Sequence, residues 1–152
     1  GQVNITVSTL VVAPTAAATV ATAASGAVLW VHVTTVAVFK GDPSLLNFNR
    51  HLSFIGSNAR ALLLHSTSTT ATWQLRDLHF GAGARVAIDK MSDQQMQPLQ
   101  LRAATVEVFA NATVVLRDMT LHFDSLRVHD GGVLICVGDV TLSGDAVLVD
   151  GT

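Results

Sequence analysis

Leu75-Arg76-Asp77-Leu78-His79-Phe80 returns, among dense β-branched residues, as Leu116-Arg117-Asp118-Met119-Thr120-Leu121-His122-Phe123. Side chains of a strand alternate between its two faces, so Leu78 and Phe80 share one side and His79 takes the other. The Arg-Asp pair interrupts that alternation and shifts the inward phase, which marks a corner between two strand segments. Strand, two-residue polar corner and strand, repeated, describe a chain that winds round an axis and lays each turn on the last.

The pattern apolar, two polar or small, apolar, variable, apolar fits segments starting at Val33, Leu75, Leu101, Leu116 and Val137, with a looser copy at Asn49. These starts lie about 21 residues apart on average. The expected fold is all-β: a β-solenoid of about six to seven coils, with a β-sandwich as the alternative. Residues 1–152 form one domain in this reading, with 1–29 an N-terminal strand and cap region and 30–152 the coils. Ala16 to Ala24 suits a short helix covering the open end of the stack. Lys40-Gly41-Asp42-Pro43-Ser44 reads as a turn and Lys90 to Pro98 as a loop.

Composition agrees with strands. The chain is 49% hydrophobic and 13% charged, against roughly 25% charged in ordinary soluble domains, which excludes disorder. A net charge of −2 without basic runs offers nothing to nucleic acid. The uncharged stretch from Leu10 to Phe39 is broken by Pro14, Gly26 and several threonines, so no membrane span is expected. Cys136, the sole cysteine, excludes an intrachain disulfide, and its setting in Val133 to Val137 reads as buried. The chain starts Gly-Gln-Val, which suggests a processed or excised piece of a larger protein. Asn4-Ile5-Thr6 and Asn111-Ala112-Thr113 are candidate N-glycosylation sites.

Asn49-Arg50-His51-Leu52-Ser53-Phe54-Ile55-Gly56-Ser57-Asn58, a strand running into a glycine turn, resembles a rung of the right-handed parallel β-helix proteins of the pectin-lyase-like superfamily. Leu116 to Phe123 is similar to another rung. The tail from Asp130-Gly131-Gly132 to Asp150-Gly151-Thr152 resembles adhesin and passenger repeats. Enzymes of that superfamily cleave polysaccharides with paired aspartates or with calcium and a basic residue, and the resemblance directs attention to both.

Neither arrangement is complete in the sequence. Asp77 and Asp118 sit at what read as equivalent corners, two coils apart and about 10 Å, which is at or beyond the reach of an acid and base pair. Corner solvation is the expectation for both. His79 and His122 follow the two motifs at matching outward positions and read as surface histidines. His129-Asp130-Gly131-Gly132 reads as a turn. The acidic residues Asp89 and Asp93 flank Lys90 without a calcium-binding pattern, and no histidine spacing suggests a metal. Of the two tryptophans, Trp30 and Trp73, the second is in phase with Leu75 and is assigned to the core. These readings lead to a non-catalytic structural or recognition module of an extracellular or cell-surface protein, with no cofactor and with a protein or glycan partner or assembly through open ends. A partial or inactive polysaccharide lyase or glycoside hydrolase, and an assembly subunit of a large complex, are the alternatives.

Overall fold

A computed structural model describes residues 2–13, 28–41, 50–65, 72–91 and 99–152. Eleven strands make one parallel sheet that coils into a β-solenoid of about five full turns. In chain order they are β1 (Gln2–Val12), β2 (Val28–Phe39), β3 (His51–Phe54), β4 (Ala61–Leu64), β5 (Trp73–Phe80), β6 (Arg85–Lys90), β7 (Leu99–Val108), β8 (Thr113–Arg117), β9 (Met119–Val128), β10 (Val133–Val137) and β11 (Thr141–Val149). A single sheet with every pairing parallel is not a β-sandwich. The helix expected over 16–24 lies outside the described residues, as do 92–98 of the expected loop.

Each turn has three faces. The first runs through residues 73–75, 99–103, 119–123 and 141–144. The second runs through 30–33 of β2, β3, 77–80, 105–108, 125–128 and 146–149, and the third through 36–39 of β2, β4, β6, β8 and β10. Arg76, Ala104, Asp124 and Asp145 are skipped in the pairing between the first and second faces, so the chain bends there. Leu75 and Leu78 are both buried with Arg76 and Asp77 turned outward, which is the phase shift read from the sequence.

The second Leu-Arg-Asp copy turns a different corner. Leu116 closes the third face and Met119 opens the first face of the next turn, while Asp118 sits between at φ 43. Asp77 and Asp118 are therefore not equivalent. The corner equivalents of Asp77 are Thr105, Ser125 and Ala146, hidden because they follow Ala104, Asp124 and Asp145 rather than arginine.

Turn length varies where the sequence pattern assumed a mean. Leu52 pairs with Leu78, 26 residues on, and Leu78 with Val106, 28 on; Val106 to Leu126 takes 20, and Leu126 to Val147 takes 21. The longer turns reduce the count to about five.

Inward residues from all three faces form one apolar core. Leu78 and Met119 are both fully buried in it, though in different columns. Phe54 and Phe80 stack with centroids 5.5 Å apart and planes 7° apart, and Trp73 meets Phe39 edge-on at 5.4 Å. Trp73, 1% exposed, is core as expected.

Between the second and third faces, four-residue turns stack on successive rungs. Ala84, Ala112 and Gly132 donate to the carbonyls of Gly81, Phe109 and His129, three residues back. The third position of each turn is left-handed: Gly83 at φ 86, Asn111 at φ 64 and Gly131 at φ 85. Asparagine tolerates that region better than other side chains. Asn111 links the column by donating to the Gly131 carbonyl and accepting from Gly83, both at 3.0 Å.

At the ends, burial fails for want of a neighbouring rung. Val147 is 55% exposed although it continues the column of Leu78. Cys136 continues the Leu116 column yet is exposed, which corrects its sequence assignment. Register aligns the residue with the buried Leu116, but burial needs a coil on its other side.

Candidate functional site

The outer side of the second face gathers four of the six histidines. Parallel pairing in register builds two outward columns there. One is Asn4, Trp30, His51, Asp77, Thr105 and Ser125; the other is Thr6, His32, Ser53, His79, Glu107 and Arg127. Phe109 and His129 follow at the rim, on consecutive rungs.

Rings from these columns make a continuous stripe. Trp30 stacks on His51 at 4.7 Å and 22°, and lies 4.8 Å from His79 and 6.0 Å from His32. His79 meets Phe109 edge-on at 5.5 Å, and Phe109 stacks on His129 at 4.7 Å and 14°. From Trp30 to His129 is four rung steps, roughly 19 Å at the usual strand spacing.

Carboxylates tie the imidazoles down. Asp77 Oδ2 pairs with His51 Nδ1 at 2.7 Å, and Asp77 Oδ1 accepts from the Thr105 hydroxyl. Glu107 Oε2 pairs with His79 Nε2 at 3.1 Å and its Oε1 with His129 Nε2 at 3.0 Å. All four carboxylate oxygens are thereby engaged, and neither group stands free as an acid or a nucleophile. Ser53, beside His79 in the ladder, is 6% exposed and closed to a substrate. Among the described residues no three His, Cys, Asp or Glu side chains are grouped to hold a metal ion.

Burial lowers the pKa of His79 below the usual imidazole value; Glu107 and Asp77 oppose the shift, and His51 and His129 add to it. The folded state thus binds the proton less well than the unfolded chain. The stabilisation from a neutral His79 is fully present above about pH 6.5 and is lost as pH falls through the unfolded value toward the lowered folded one. His79→Gln should flatten the fall in urea midpoint between pH 7.5 and 5.5; an unchanged pH dependence refutes this assignment.

The other sequence candidates lie apart. His122 is on the first face, where its Nε2 meets Gln100 Oε1 at 2.9 Å, so it does not share a column with His79. Asp118 accepts the Asp139 N–H at 3.0 Å in a corner role. Asp89 bonds the N–H of Lys90 at 2.8 Å and faces Arg117 at 3.9 Å. Asn4 is exposed on β1, and Asn111 is exposed in its turn. His129 to Gly132 is a turn as read, but His129 also belongs to the stripe. Trp30, His51 and Glu107 were not singled out together. Each is an outward residue of its own strand, and only the inter-rung register, set by unequal turn lengths, brings them into contact.

No helix occurs among the described residues, so none there is long and apolar enough to cross a membrane. The architecture is that of a parallel β-helix protein, while the chain matches no protein-family model, no curated protein and no solved structure.

Proposed function

We propose that this chain is a non-catalytic recognition module of an extracellular or cell-surface protein, of the adhesin type within the pectin-lyase-like superfamily, and that it reads an extended glycan along the ring stripe. The observation that carries this is the half-buried Trp30 ring set against His51 and His79 on a face where imidazoles and carboxylates alternate. A sugar ring offers an apolar C–H face to an aromatic plane and hydroxyls to donors and acceptors at its edge, and the stripe has both. Coiled backbone pairing holds these groups on a rigid scaffold, so little ordering cost falls on binding. Saturation of Asp77 and Glu107 by their partners argues against the hydrolase alternative.

Protein made without glycans of its own and probed on a glycan array should bind linear oligosaccharides. Affinity should rise up to about four sugars, the length of the stripe, and Trp30→Ala should weaken it at least tenfold, about 1.4 kcal/mol. Absence of binding to any glycan, or binding indifferent to Trp30, would sink the reading.

A second reading, an assembly subunit, is favoured by the third face, whose outward side carries Val36, Ala61, Ala87, Val115 and Ile135 in one column. Concentration-dependent light scattering separates it from the first.

A further inference from the structure

Among the described residues every phenylalanine and tryptophan is buried except two, Trp30 and Phe109. The sequence holds two N-glycosylation sequons, one across the ladder from Trp30 and one beginning two residues after Phe109. Asn4 is the register partner of Trp30 on the neighbouring strand. Asn111 is the third residue of the turn that Phe109 opens.

We infer that Asn4 and Asn111 both carry N-linked glycans, whose innermost sugars pack on Trp30 and Phe109, so that the protein's own glycans compete with a glycan in trans for the ring stripe. The inference rests on the reading of the stripe as a sugar-stacking surface and adds what that glycan must displace. In the group transfer, the Asn Nδ2 displaces the diphosphate from C1 of a polyprenyl-diphosphate oligosaccharide. The Nδ2–C1 bond forms, the C1–O bond breaks with its electron pair leaving on the diphosphate, and Nδ2 gives up one proton.

Geometry suits each acceptor. The Asn4 Oδ1 accepts from His32 Nε2 at 3.1 Å and from Gln2 Nε2 at 3.3 Å, which leaves Nδ2 as the end of the amide available for the sugar. Asn4 and Thr6 are both exposed on β1, which pairs with β2. Asn111 is exposed at its left-handed turn position, where its backbone bonds to rungs on both sides fix the turn and leave the side chain outward. Ala112 between Asn111 and Thr113 is fully buried, which anchors that sequon to the scaffold. A glycan fixed at either site is already tethered beside its ring, so stacking costs little further freedom.

The test is expression in a cell that N-glycosylates secreted chains, followed by trimming to one N-acetylglucosamine per site. Peptide mass spectrometry should find remnants on both Asn4 and Asn111, and Asn4→Gln and Asn111→Gln should each remove one. Each remnant should raise the melting midpoint by about 2–4 °C over the unmodified chain. Trp30→Leu should cancel the Asn4 increment alone, and Phe109→Leu the Asn111 increment alone. Either asparagine unmodified, or increments that survive loss of the adjacent ring, overturns the inference. If a ring variant does not fold, the wild-type remnant increments decide. If the Asn4→Gln/Asn111→Gln double variant binds no glycan on the array while the ring-dependent increments persist, the inference stands and recognition in trans falls.

Discussion

Leu78→Ala should lower the unfolding free energy by about 2–5 kcal/mol, while Val147→Ala, in the same inward column, should lower it by less than about 1 kcal/mol. Leu78 is fully buried between Leu52 and Val106, and Val147, beyond Leu126, is 55% exposed. Truncating Leu78 loses transfer free energy and leaves a cavity, because the rungs on both sides are held by ladder bonds and cannot collapse into it. Val147 has a neighbour on one side, and most of its surface already meets water. Urea titration of both variants with unchanged slope measures the difference. Equal losses would mean that the coils do not stack as described.

The second large effect concerns packing on the first face. Leu75, Ala103, Phe123 and Gly144 form one inward column, in which the Phe123 ring lies where a side chain at Gly144 would stand. A Cβ at Gly144 would run into that ring and lie 2.6 Å from the Phe123 carbonyl oxygen. Gly144→Ala should therefore cost about 1–3 kcal/mol through overpacking, and Gly144→Val more. Replacing Phe123 with leucine in the same chain should restore part of the loss. A double-mutant cycle over Gly144→Ala and Phe123→Leu should show favourable coupling of at least about 0.5 kcal/mol; strict additivity would remove the ring from the explanation.

Fold class was legible because a corner leaves a mark in one strand: two outward residues between Leu75 and Leu78 break a period that is otherwise strict. Its copies at Ala103 to Val106 and Phe123 to Leu126 were harder to see. Alanine at position 104 and serine at 125 do not stand out as a charged pair does, and the pattern matched Leu101 and Leu116 instead. The stripe was less legible still. Asp77 meets His51 across 26 residues and Glu107 meets His79 across 28, so no local spacing encodes them. What could have been read is that His32, His51 and His79 are all outward residues of strand-like runs. Which of them are neighbours follows only from the coil lengths.

Those coil lengths carry a practical corollary. Turns of 20, 21, 26 and 28 residues deliver the chain to the same ladder position, and the added length falls after the third face, between β4 and β5 and between β6 and β7. Closing a longer loop costs only about 0.6 kcal/mol per doubling. The junctions between β4 and β5 and between β6 and β7 are therefore natural display ports, where a spliced epitope or tag should leave the layers above and below it in register.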